Sequence, residues 1–125
     1  MKPKLLIADD EVNVLESMRR MLESYFDITT VTSGSEAVRI CDREQFEAAI
    51  IDVRFDTVGG ISGIEAAERI RKKNRELKII LFSAHYSERE RGVALDLGAT
   101  FLEKTIQIED IFRVLEPKGW RSSGP

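Results

Sequence analysis

The chain has 125 residues, 42% hydrophobic and 33% charged, a balance that suits one globular domain and leaves no room for a second. A formal net charge of -3 gives no general attraction to nucleic acid, and no apolar run approaches the roughly 20 residues of a membrane span. Met1-Lys2-Pro3 lacks the apolar region and cleavage site of a signal peptide, and the single Cys41 offers no internal disulfide, so the expected location is cytoplasmic.

Lys4 to Ala8 is the first predicted strand, closed by the acidic pair Asp9-Asp10. A helix follows over Glu11 to Ser24, with Val14, Met18, Met21 and Tyr25 on one side and Leu15 and Leu22 beside them. Asp27 to Val31 reads as the second strand, and Ser33 with Glu36 three residues later is a capping box. The helix it opens buries Ala37, Ile40 and Cys41, a stripe on which Cys41 reads as a small core residue rather than a reactive thiol. Ala48 to Asp52 is a strand of four apolar residues that ends on a carboxylate. Residues 53–62 then form a connection longer than the about two to six residues usual between such elements. The third helix runs from Gly63 to Asn74 on Ile64, Ala67 and Ile70, and the basic run Arg69 to Lys78 reads as its solvated end. Lys78 to Phe82 is the fourth strand, Ser87 to Leu97 the fourth helix and Thr100 to Glu103 the fifth strand. A short fifth helix buries Ile108, Ile111, Phe112 and Leu115 before Pro117 ends it.

This alternation is (βα)5, an α/β fold with a doubly wound parallel sheet covered by helices on both faces. The domain is expected over residues 1–116, with 117–125 a polar C-terminal tail, in part a remnant of cloning. If the first and third strands are neighbours, their carboxyl ends bring Asp9, Asp10 and Asp52 to the edge where open α/β sheets place ligands. Carboxylates so clustered repel one another, and a hard cation among oxygen ligands, Mg²⁺ first, relieves them. Taken singly, Asp9 reads as a helix cap and Lys104 as a solvated charge on an edge strand. Asp52 is harder to set aside, because a carboxylate closing an apolar run is costly to bury without a partner.

Leu6-Ile-Ala-Asp-Asp-Glu11, the strand ending at Asp52, Phe82-Ser83-Ala84 and Gly98-Ala-Thr-Phe-Leu-Glu-Lys104 together resemble the receiver domains of two-component response regulators, chemotaxis-regulator-like chains of this size. The resemblance covers nearly the whole chain and implies the flavodoxin-like strand order 2-1-3-4-5. It also implies that Asp52 accepts a phosphoryl group from a histidine kinase, with Mg²⁺ or Mn²⁺ held by Asp9, Asp10, Asp52 and the backbone carbonyl of Arg54. In the same pattern Ser83 and Lys104 bind the phosphoryl group, Phe101 changes rotamer to pass the event on, and Arg54 and His85 tune the rate at which water reaches it. The partners so implied are a sensor histidine kinase or phosphotransfer protein and an unknown output protein or domain. No direct nucleic acid binding and no membrane are expected, and the chain would be a monomer or a weak phosphorylation-dependent dimer. It would not be an enzyme beyond catalysing its own phosphorylation and dephosphorylation.

The chain departs from the family pattern in four places. Phe55-Asp56 stands where a Met-Pro pair is usual, and Gly63 and Glu65 fall about three residues late. Thr105 replaces the proline after the lysine, and the fifth helix is short. Other functions weigh against the same residues. A flavodoxin-like electron carrier would meet repulsion between its flavin phosphate and Ala8-Asp-Asp-Glu-Val12, and an aspartyl phosphohydrolase would want an acid where Arg54 stands. The nearer alternative is a degenerate receiver that docks partners without phosphorylation.

Overall fold

A computed structural model of the protein describes residues 2–55, 60–85, 87–104 and 108–120. Five strands alternate with five helices: β1 (Lys4–Ala8), α1 (Val12–Leu22), β2 (Asp27–Val31), α2 (Gly34–Arg43), β3 (Ala48–Asp52), α3 (Gly63–Lys73), β4 (Lys78–Ser83), α4 (Glu88–Asp96), β5 (Thr100–Glu103) and α5 (Ile108–Leu115). All strands run parallel in the order β2-β1-β3-β4-β5, the doubly wound arrangement the alternation and the resemblance imply. The apolar strands β1, β3 and β4 are buried on both faces, as continuous Leu, Ile and Ala runs require of inner parallel strands.

Two cores lie on opposite faces of the sheet. One packs Leu6, Ala49, Ile51, Ile79 and Leu81 under Ala37 and Cys41 of α2, Ala67 and Ile70 of α3, and Ala94 of α4. The other packs Leu5, Ile7, Ile50, Ile80 and Phe82 under Leu15, Met18 and Leu22 of α1 and Ile111, Phe112 and Leu115 of α5. Alternate residues of each strand go to alternate faces, which is why both cores draw on β1, β3 and β4. Burial pushes the Cys41 thiol up to about 11, with the Asp42 charge adding to it, so it behaves as the core residue its stripe predicts.

Helix ends follow local chemistry. The side chains of Ser33, Ser62 and Ser87 accept from the backbone N–H of Glu36, Glu65 and Glu90, so three helices open on a serine cap. Gly98, at φ +68, takes the left-handed turn after α4 that glycine adopts without a Cβ penalty. Beyond α5, Pro117 is buried and Trp120 stacks on Phe112 with ring centroids 5.4 Å apart.

Two expectations change. Met21 is 48% exposed on α1, because the face turned to the sheet is Leu15, Met18 and Leu22. Arg71 is not a solvated member of the basic run. Its guanidinium donates to the carbonyls of Leu97 and Leu77 at 2.7 Å, Asn74 and Arg75 at 3.0 Å and Gly98 at 3.2 Å, clamping the end of α3, the start of β4 and the α4–β5 turn. No helix among the described residues is long and apolar enough to cross a membrane.

The start of α3 sits directly on the end of β3. Gly63 donates its N–H to the Val53 carbonyl, and a Cβ at Gly63 would lie 1.7 Å from the Asp52 carbonyl oxygen, so only glycine allows this approach. Gly63→Ala is expected to cost about 2–4 kcal/mol in urea unfolding at 25 °C. Gly92→Ala, in α4 with open space around it, should be neutral or gain up to about 1 kcal/mol.

Candidate functional site

The register decides what meets at the carboxyl edge. Ala8 pairs with Ile51 across β1 and β3, Asp52 with Phe82 across β3 and β4, and Ser83 with Glu103 across β4 and β5. The residue after each of these strand ends is therefore delivered to one place: Asp9 beyond β1 and Lys104 beyond β5, with Asp52 closing β3. The Lys104 N–H donates to the Ser83 carbonyl at 2.7 Å, which carries the β4–β5 pairing one residue further and fixes the lysine's origin.

Asp9, Asp10 and Asp52 each offer a carboxylate oxygen, and these oxygens lie within 4.8 Å of one another. Asp9 is 1% exposed and Asp52 5% exposed, so water screens neither. Lys104 answers them. Its ammonium lies 3.0 Å from Asp9 Oδ2 and 3.3 Å from Asp52 Oδ2, and 3.7 Å from Glu11 Oε1 at the rim. The solvated-lysine reading is set aside by this geometry, since the Lys104 side chain is only 15% exposed. Asp9 does not cap α1, whose N-cap is Glu11 with no side-chain cap bond: its Oδ1 accepts the Glu11 N–H at 2.9 Å, ahead of the helix, while Oδ2 faces the lysine.

Burial pushes the Asp52 carboxyl up to about 6, with the Asp9 charge adding to the rise; Lys104 and the Arg54 N–H, which donates to Oδ1 at 3.3 Å, pull it partly back. For Lys104, burial lowers the ammonium, but the hydrogen bond and charge of Asp9 and the charge of Asp52 outweigh it, and the net shift is upward. One ammonium against three aspartates leaves the cluster short of positive charge. An all-oxygen donor set with a net negative charge fits a hard divalent cation, with Asp9, Asp10 and Asp52 as its side-chain ligands.

An open cavity of about 540 Å³ stands over this cluster, and Asp10, Asp52, Arg54, Ser83, His85 and Lys104 share its lining. Ser83 is 2% exposed, and its hydroxyl is engaged within its own loop, donating to the His85 carbonyl at 2.9 Å and accepting the His85 N–H at 3.2 Å. Phe101 lies half-buried against the core under α2, α3 and α4. Asp56 and the Lys104–Thr105 junction lie outside the described residues. Sequence reasoning missed two carboxylates: Glu11, and Glu90 in the first turn of α4, which is 7% exposed and has its Oε2 3.5 Å from Arg54 Nη2. Glu90 stands three residues after Ser87, a spacing that signals a capping box and nothing more.

A family model described as response regulator receiver domain matches residues 5–116. Among curated proteins, the transcriptional regulatory protein PrrA of Mycobacterium tuberculosis is 30% identical over 98 residues, 78% of this chain and 41% of that protein. The alkaline phosphatase synthesis transcriptional regulatory protein PhoP of Bacillus subtilis is 28% identical over 79% of this chain and 40% of its own length. The chain thus spans about two fifths of the length of these relatives. Among solved structures, a CheY-like receiver domain from Methanospirillum hungatei superposes with a TM-score of 0.85 at 21% identity, over 93% of this chain and 92% of that one. The response regulator TrrA of Thermotoga maritima, solved with Mg²⁺ and BeF, gives a TM-score of 0.80 at 29% identity, over 93% and 97%.

The raised Asp52 carboxyl has a consequence for stability. A carboxyl held at about 6 in the fold and near 3.8 when unfolded takes up protons on folding, so its ionisation opposes folding as pH rises through that window. In chelator-treated protein, Asp52→Asn is expected to raise stability by about 1–3 kcal/mol at pH 8, and the gain should vanish at pH 4. Urea titrations at the two pH values measure it.

Proposed function

Because the chain belongs to the response regulator receiver domain family, we propose that it is a phosphorylation-controlled signalling domain in which Asp52 accepts a phosphoryl group from a phosphohistidine donor. The observation that carries this reading is the convergence of three aspartates and Lys104 at the carboxyl edge of the sheet, under a cavity open to a donor. Asp9, Asp10, Asp52 and the Arg54 carbonyl would hold Mg²⁺, or Mn²⁺ in its place. The bound cation would supply positive charge to carboxylate and phosphoryl oxygens as the group transfers.

The chain's own residues do the rest. Asp52, with a carboxyl near 6, is mostly ionised at neutral pH, and it attacks phosphorus as the donor's P–N bond breaks and the electron pair leaves with the imidazole. Asp9 holds Lys104 by one oxygen, so the ammonium stays beside Asp52 and pairs with a phosphoryl oxygen once the acyl phosphate forms. Ser83 would exchange its bond to the His85 carbonyl for one to the phosphoryl group, drawing in the β4–α4 loop. Phe101 would follow that loop and alter the surface made by α4, β5 and α5. Arg54 and His85, both lining the cavity, tune the access of water. The donor is a histidine kinase or phosphotransfer protein in the cytoplasm. The output partner reads the altered surface, with the domain a monomer or weak dimer and without direct contact to nucleic acid or membrane.

Incubation with acetyl phosphate and Mg²⁺, followed by intact mass measurement, is expected to give one phosphoryl adduct that chelator or Asp52→Asn abolishes. Lys104→Ala should keep Mg²⁺ binding while the adduct yield falls at least about tenfold, since it removes the phosphoryl oxygen's fixed cation. A folded wild-type protein that takes no phosphoryl group from acetyl phosphate or from a histidine kinase would overturn the proposal in favour of a docking module.

A further inference from the structure

Glu90 has no role in that chemistry, yet its setting is costly. Glu90 is 7% exposed; among the described residues its Oε1 is buried without a hydrogen-bond partner and its Oε2 faces one cation, the Arg54 guanidinium, at 3.5 Å. A buried carboxylate so thinly paired is tolerable only while its cation stays. Arg54 is the opposite kind of partner: its side chain is 67% exposed and lines the cavity two residues past Asp52. It is free to turn elsewhere at small cost.

Helix α4 gives Glu90 unusual leverage. Only Glu90 and Ala94 are buried along it, while Leu95 is 68% exposed and Gly92 has nothing within 4 Å of where a Cβ would be. With little apolar burial holding the helix, its first turn is fixed by the Ser87 cap on the Glu90 N–H and by the ion pair to Arg54.

We infer that Glu90 is a positioning residue which competes with the phosphoryl group on Asp52 for the Arg54 guanidinium, so that phosphorylation takes Arg54 away and releases the first turn of α4. The inference rests on Asp52 being the phospho-acceptor. An acyl phosphate places three strong acceptor oxygens in the cavity Arg54 already lines, and a guanidinium binds phosphate in a two-pronged fashion that a single contact at 3.5 Å does not match. Once Arg54 turns, Oε1 stays buried without a partner among the described residues and Oε2 loses its cation. Movement of the turn that carries the carboxylate brings it more fully into water. No bond is made or broken; one cation changes partner.

The test is a double-mutant cycle read by binding of beryllofluoride with Mg²⁺, a stable mimic of the acyl phosphate, to the full chain. Glu90→Gln keeps the shape and removes the competing charge, so it should bind the mimic about fivefold more tightly than wild type. In an Arg54→Gln background the same substitution should change nothing. Amide hydrogen exchange supplies a second readout: on adding the mimic, the amides of residues 88–91 should lose protection in wild type and keep it in Arg54→Gln. Unchanged affinity in Glu90→Gln, or a gain that persists without Arg54, overturns the inference. Failure of wild type itself to bind the mimic or to take a phosphoryl group from acetyl phosphate overturns the phospho-acceptor reading instead, so the two failures are distinguishable.

Discussion

The ammonium of Lys104, held between Asp9 and Asp52, is the interaction on which the site's architecture rests. Without it two carboxylates, 1% and 5% exposed, would face each other in a place that water does not screen. The pairing also reaches back into the fold. Lys104 leaves an edge strand only four residues long, whose residues are all half-buried, and its N–H bond to Ser83 prolongs the β4–β5 pairing toward the site. Strand β5 therefore belongs to the sheet partly through its charge at one end, whereas β1, β3 and β4 add apolar burial on both faces to their ladder hydrogen bonds.

That division explains why so much negative charge can sit on so small a domain. The buried strand residues of the two cores are Leu, Ile, Val, Ala and Phe, and the charged groups that crowd the carboxyl edge begin where the strands stop. Asp52 is the compromise. It stays within the register of β3, opposite Phe82, yet carries a charge the apolar strand opposes, and its carboxyl rises accordingly. In the function proposed for it, a carboxylate to be neutralised by a cation or converted to an acyl phosphate gains from a site that holds it at a disadvantage until then.

The strands were legible because each is a short apolar run bounded by polar turns, and Ser33 with Glu36 announced α2 through a spacing whose physics is entirely local. Asp52 and the Asp9-Asp10 pair were legible for the same reason, since a carboxylate at the end of such a run has few inexpensive explanations. The order of the sheet came from the family resemblance; periodicity alone carries no information on which strand neighbours which. Met21 shows the limit of stripes: Val14, Met18 and Tyr25 of its predicted side do pack on the core beside Leu15 and Leu22, and the rotation of α1 turns only Met21 outward. Arg71 and Glu90 were illegible for a related reason. Each looks like an ordinary solvated or capping charge in its own helix, and only the packing of that helix against a distant loop turns it inward.

Asp52 is paired with one cation, Lys104, and takes the backbone N–H of Arg54, whose guanidinium reaches away to Glu90; the two residues lead to elements thinly secured by apolar packing. Lys104 leads to β5, and Arg54, through Glu90, leads to α4. Gly63 and the cores under α2 and α3 hold the opposite side of the sheet edge close and rigid, with no room for a single methyl group at the strand end. A change of charge at Asp52 is therefore not shared evenly. Elements opening at low free energy respond first, and here they are the pair tied to the site by electrostatics instead of by burial. In the proposed function that asymmetry sends the signal toward α4 and β5, which adjoin one another with the exposed Leu95 on α4.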